Sequence, residues 1–144
     1  IISFSSVNEY WALFADYSKY LNKNRMSWMT ASGGNSNLLR TQESLYNDSE
    51  WHFIAGTYSS GTGVKNLYVD GELVDSTIAN DGKSLDGPIS YGYIGNSPDY
   101  QAANDSFNGS PSDENYLRGA IDEVFVYHYA FPIELLDALY QATQ

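Results

Sequence analysis

The chain has 144 residues, of which 42% are hydrophobic and 15% aromatic, with 13 tyrosines and no cysteine. That is enough apolar matter for one domain with a real core, which excludes a disordered chain, and the lack of cysteine excludes disulfides, thiolate metal sites and a Cys nucleophile. A formal net charge of −11 argues against nucleic acid and anionic lipid, and leaves divalent cations, neutral sugars and basic partners as the compatible classes.

Short runs rich in Ile, Val, Tyr, Trp and Phe, bounded by Gly, Asn, Ser or Asp, predict strands at 1–5, 10–15, 25–31, 37–41, 51–58, 63–70, 72–78, 89–95 and 117–129. The chain opens directly on Ile1-Ile2-Ser3-Phe4, which reads as the middle of a strand, as in a mature or cut chain. No secretory leader is visible, and no apolar run approaches the roughly 20 residues that span a bilayer. Membrane insertion is not expected.

Residues 66–76, NLYVDGELVDS, carry Asp70, Glu72 and Asp75. Asp70-Gly71 is the favoured centre of a type I′ hairpin, where both residues need positive φ. Asp70 is therefore expected to shape a turn, with Glu72 and Asp75 facing solvent on the return strand. In IDEVFVYHY, Ile121, Val124, Val126, Phe125, Tyr127 and Tyr129 occupy both parities, which predicts a central strand buried on both faces. The tail then changes period. Ile133, Leu136, Leu139 and Tyr140 fall at helical spacing, and Pro132 suits the first helical position. One amphipathic helix thus closes a β chain, as a lid over one end. Residues 79–88 and 96–116 read as long loops; a 21-residue loop in a compact domain is usually functional or mobile.

The order WHFIAGTYSSGTGVKNLYVDGELV, then YIGN at 93–96, then LRGAIDEVFVYHYAFPIELLDALY resembles the laminin G-like jelly roll of the concanavalin A-like lectin/glucanase superfamily. The matching motifs run from Trp51 to about Tyr140. The resemblance implies an all-β, two-sheet antiparallel sandwich with one short C-terminal helix, and a packing place for Trp51. Two departures stand out. IISFSSVNEYWALFAD aligns with a strand pair inside the domain, so 1–144 reads as a single domain lacking its N-terminal strands. Phe131-Pro132 also stands where a Ser or Thr cap is common.

Glucanases of this superfamily carry clustered carboxylates on one strand, and a glycosidase needs two of them about 5–10 Å apart. No such array is found. Glu43 stands alone, Glu72 and Asp75 differ in parity, Asp122 and Glu123 are adjacent, and Glu134 and Asp137 lie on the helix. His52 and His128, the two histidines, sit within strand runs and read as packing or edge residues. The expectation is a non-enzyme.

Calcium takes oxygen ligands, and the resemblance implies one calcium near the loops at one end. Asp99, Asp105, Asp113 and Asp122 are the candidate ligands, against the alternatives of a solvated acidic loop and of an Asp122 bonded to nearby backbone or Arg118. A sugar site needs an aromatic platform with planar polar groups around it. Tyr91, Tyr93, Tyr100, Phe107 and Tyr116, with Asn104, Asp105, Asn108 and Asn115, supply both. Trp11, Tyr17, Tyr20 and Trp28 form a second aromatic group, with the tryptophans read as core. Asn47, Asn104 and Asn108 each open an Asn-x-Ser acceptor triplet.

Together these features predict a non-catalytic extracellular or cell-surface module that binds a glycan or glycoprotein, or serves adhesion, with calcium assisting. The alternative is an assembly subunit whose open sheet edge is completed by another chain.

Overall fold

The computed structural model describes residues 2–5, 10–18, 23–32, 35–42, 48–79, 91–95, 98–101, 106–111, 117 and 119–143. The β-branched and aromatic runs pair as antiparallel strands. β1 (Ile2–Ser5), β2 (Tyr10–Ser18), β3 (Lys23–Ser32), β4 (Asn35–Arg40) and β8 (Tyr91–Ile94) form one sheet in the order β4-β3-β2-β1-β8. β5 (Ile54–Tyr58), β6 (Val64–Val69) and β7 (Glu72–Ile78) form the second, with β6 central. β9 (Pro98–Gln101) and β10 (Ser106–Pro111) make a separate hairpin. α1 (Ile133–Ala142) is the single helix among the described residues.

Alternation along each strand puts one parity inward. Ile2, Leu13, Trp28 and Leu39 from the first sheet meet Leu67 from the second, with Phe4, Trp11, Ile54, Tyr58 and Val74 around them. Each such side chain contributes roughly 1.5–3 kcal/mol when fully buried. The two sheets meet at Trp28. A Cβ on Gly56 of β5 would lie 2.5 Å from Trp28 Cδ2. The indole N–H of Trp28 donates to the Thr57 carbonyl at 3.2 Å. The opposite parity of the first sheet builds a second cluster from Ala12, Met29 and Ala31, flanked by Phe14 and Leu38.

Asp70 and Gly71 turn the β6–β7 hairpin with φ of +52° and +81°, as a type I′ turn requires. Past the turn the ladder slips. Leu67 faces Asp75 while Tyr68 faces Leu73, which leaves Val74 as the extra residue of a β-bulge. The bulge corrects the expected place of Asp75. It is half-buried, and its Oδ2 accepts the Arg40 N–H of β4 at 3.0 Å. Glu72, before the bulge, is exposed.

Three further expectations need correction. Residues 119–131 form no strand, and Val124, Phe125, Val126, Tyr127 and Tyr129 are exposed rather than buried. A strand needs a neighbour, and among the described residues no backbone–backbone hydrogen bond involves 119–131. Glu123, with φ +47°, also breaks the extended run. Trp51 is 69% exposed, because it precedes the start of β5 and Trp28 fills the place between the sheets. Residues 96–116 are not loop throughout, since they contain β9 and β10.

The helix begins one residue later than expected. Pro132 is its N-cap, without a side-chain cap, and the Pro132 carbonyl accepts the N–H groups of Leu135 and Leu136 at 3.1 and 3.2 Å. The apolar face packs inward through Leu136. Tyr140 stacks at a tilt on Phe53, centroids 5.9 Å apart, and its Cδ1 lies 2.8 Å from where a Gly71 Cβ would sit. The helix therefore rests on the hairpin turn, and Gly71 is needed there for space as well as for φ.

Candidate functional site

The 96–116 excursion leaves from β8 and returns beside it. Gly95, at φ +79°, ends β8, and its carbonyl accepts the Leu117 N–H at 2.9 Å. That bond closes the base of the excursion that contains the β9–β10 hairpin. Tyr91 and Tyr93 occupy alternate positions on β8, opposite Ser5 and Ser3 of β1; same parity means one face. In the hairpin, Tyr100 stands directly opposite Phe107, and Gln101 opposite Ser106. The backbone register thus pairs two of the predicted platform positions across the ladder. The register shifts between Phe107 and Pro111.

The other predicted residues divide in two. Asp99 lies on β9 and Asn108 on β10. Asn104, Asp105, Asp113, Asn115 and Tyr116 lie outside the described residues. Asp122 is exposed, and its Oδ1 accepts the N–H of the adjacent Glu123 at 2.9 Å. Among the described residues no group of three or more His, Asp or Glu could hold a metal ion. Asp122 by itself does not fit calcium, which takes six to eight oxygens.

A different polar cluster holds the hairpin turn. His52 Nδ1 lies 2.8 Å from Asp70 Oδ2, and its Nε2 lies 3.2 Å from Asp48 Oδ1. Asp70 Oδ1 accepts the Phe53 N–H at 3.0 Å, while Asp70 N–H donates to the Phe53 carbonyl at 2.8 Å. Partial burial works against a charged His52, but the bonds and charges of Asp70 and Asp48 outweigh it and raise its pKa above the ordinary value. Asp48 is held below the usual carboxylate range, first by the Glu50 N–H and then by His52. Carboxylates only accept, so this bridge suits an imidazolium donating from both nitrogens. With both nitrogens engaged, His52 is a clamp for the turn. His128 is exposed, its ring edge-on to Tyr129 at 5.0 Å.

Lys65 is fully buried between the sheets. Its Nζ donates to the Asn37 carbonyl and lies 5.6 Å from the Trp28 ring centroid, an arrangement that offsets part of the cost of a buried cation. Sequence reading passed over it. The signal was present, since Lys65 shares the parity of Leu67 and Val69 in VKNLYV.

A family model described as the concanavalin A-like lectin/glucanases superfamily, laminin G type, matches residues 2–133. The chain belongs to this laminin G-like family. The two antiparallel sheets and short helix are the sandwich of that superfamily. No curated protein sequence matches the chain. Among solved structures, it is similar to residues 221–444 of an S-layer domain-containing protein from Clostridium thermocellum, at 23% identity and a TM-score of 0.48. That match covers 94% of this laminin G-like chain and 58% of the other. No helix among the described residues is long and apolar enough to cross a membrane.

Proposed function

We propose that this laminin G-like chain is a non-catalytic extracellular carbohydrate-binding or adhesion module, calcium-assisted, forming one domain of a larger secreted or surface protein. The observation that carries the reading is the β9–β10 hairpin, whose register pairs Tyr100 with Phe107, together with the alternate positions of Tyr91 and Tyr93 on β8. Aromatic residues offer a broad apolar surface with polar tips, suited to the apolar face of a sugar ring. Gln101, Asn108 and Asp99 on the same hairpin add groups of the kind that bond sugar hydroxyls. A lectin superfamily is consistent with this. Two observations favour a non-catalytic module: His52 is engaged at both nitrogens, and Asp75 is committed to Arg40. Calcium's part rests on Asp99, Asp105 and Asp113, the aspartates of the 96–116 sequence.

Glycan-array binding tests the reading, run in calcium and again in chelator. Binding lost in chelator supports a calcium-linked lectin. Binding that survives chelator places recognition on the aromatic surface alone. No binding in either buffer contradicts the reading. A second reading is an assembly subunit completed by a strand from another chain; residues 119–131, which make no backbone–backbone hydrogen bond among the described residues, favour it.

A further inference from the structure

The stretch before β5 and the turn between β6 and β7 are joined through one ring. His52 Nδ1 lies 2.8 Å from Asp70 Oδ2, while its Nε2 lies 3.2 and 3.3 Å from the two oxygens of Asp48. The two contacts are unequal. The Asp70 side chain is 36% exposed and that of Asp48 45%. Asp70 is also fixed to Phe53, accepting its N–H at 3.0 Å and donating its own N–H to the Phe53 carbonyl at 2.8 Å. Asp48 is tied within its own stretch, where Oδ1 accepts the Glu50 N–H at 2.9 Å around Ser49, whose φ is +73°. A carboxylate only accepts hydrogen bonds, and a neutral imidazole has one N–H. The bridge is therefore complete only while the ring carries both protons. On losing one, the ring keeps the N–H of the shorter, less exposed bond, Nδ1–H to Asp70. The Nε2 lone pair then faces the Asp48 oxygens, and acceptors repel each other.

The titratable groups around the ring are Asp48 and Glu50 on its own stretch, Asp70 and Glu72 at the turn, and Asp137 and Tyr140 of α1, which lie over Gly71. Of these side-chain types and histidine, histidine is the one that ordinarily changes charge between about pH 5 and 8. Partial burial opposes the charged ring, but Asp70 and Asp48 raise its pKa overall, so the change falls above the ordinary value of about 6.5. We propose that His52 is a proton-operated latch on the 48–51 stretch. The protonated ring ties Asp48 to the turn; the neutral ring lets Asp48 go and keeps Asp70. The stretch carries Trp51, 69% exposed, so the proton sets how firmly this exposed aromatic is held. α1 stays docked in both states, because Tyr140 rests on Phe53 and Gly71, on the side that Asp70 keeps. The latch is independent of the glycan reading.

The test uses the intact chain, isotope-labelled, followed by NMR from about pH 5.5 to about pH 8.5 across the histidine range. Ring shifts give the His52 midpoint, and amide relaxation gives backbone order parameters. Through that midpoint the Ser49 and Glu50 amides should fall from about 0.85, the rigid value, toward about 0.6. The Phe53 and Leu136 amides should stay rigid. Asp48→Asn then separates the latch from a merely structural bond. An amide side chain both donates and accepts, so it pairs with either form of the ring and still holds the Glu50 N–H. In this variant the step at Ser49 and Glu50 should vanish and the His52 midpoint should fall, with the unfolding midpoint little changed at this exposed position. His52→Gln should abolish the step as well. Order parameters that stay flat through the His52 midpoint in the wild type overturn the latch. So does a step that survives Asp48→Asn. A step shared by Phe53 and Leu136 overturns the unequal release, since the turn and the helix would then loosen together with Asp48.

Discussion

Asp70 is the residue whose replacement separates turn geometry from charge. Its two oxygens hold the Phe53 N–H at 3.0 Å and the His52 ring at 2.8 Å, and its φ is +52°. Hydrogen bonds to a charged group contribute about 1.5–3 kcal/mol each when buried. Here the Asp70 and His52 side chains are 36% and 19% exposed, so about 1 kcal/mol each is the discounted figure. An alanine at positive φ adds about 1 kcal/mol of strain. Asp70→Ala should therefore cost about 3 kcal/mol and Asp70→Gly, which removes only the bonds, about 2 kcal/mol. Urea titrations at several pH values measure both. His52 has a raised pKa in the folded state. Its contribution is therefore fully present below the unfolded value near 6.5 and is lost as pH rises through the folded value. Wild-type protein should lose stability across that window, and both Asp70 variants should show a flatter profile. Equal stability of the alanine and glycine variants would refute the φ argument. An unchanged pH profile would refute the clamp.

Gly56→Ala drives a methyl into the Trp28 ring at 2.5 Å and should destabilise by about 1–3 kcal/mol or more, since neither sheet can move freely; calorimetry gives the value. Leu67→Ala, at a position with 0% exposure, should cost about 2–5 kcal/mol by the same measurement. Asp75→Ala removes the acceptor of the Arg40 N–H at 3.0 Å and should cost about 1–2 kcal/mol, with faster amide exchange at Arg40 as its specific sign. Trp51→Ala, at 69% exposure, should leave the unfolding midpoint nearly unchanged, whereas a core role would lower it sharply.

Alternation and turn chemistry carried most of the fold. The Asp70-Gly71 turn was legible because few residue pairs accept two positive φ values. Asp75 was misplaced because a bulge shifts parity, and nothing local in ELVDSTI marks Val74 as the extra residue. IDEVFVYHY has the composition of a buried strand, yet burial depends on a neighbour, and pairing is not written in the segment itself. The helix cap was legible as weak, and Pro132 lacks a side-chain cap bond. In the candidate site, the aromatic–polar character of 96–116 was visible, but the hairpin inside it was not. Its strands PDYQ and SFNGSP are short and polar, and register emerges only once the strands pair. The His52 clamp joins residues 18 apart, a distance that no motif spacing announces.

In the proposed function, the hairpin carrying Tyr100 and Phe107 recognises a glycan. The most direct measurement compares the chain with Tyr100→Ala and Phe107→Ala on the glycans that the wild type retains on an array, by titration calorimetry. Each variant should keep the wild-type unfolding midpoint and lose binding by about 1–3 kcal/mol, the scale set by flat rings such as nucleobases stacked on an aromatic side chain. Full binding by both variants would contradict it.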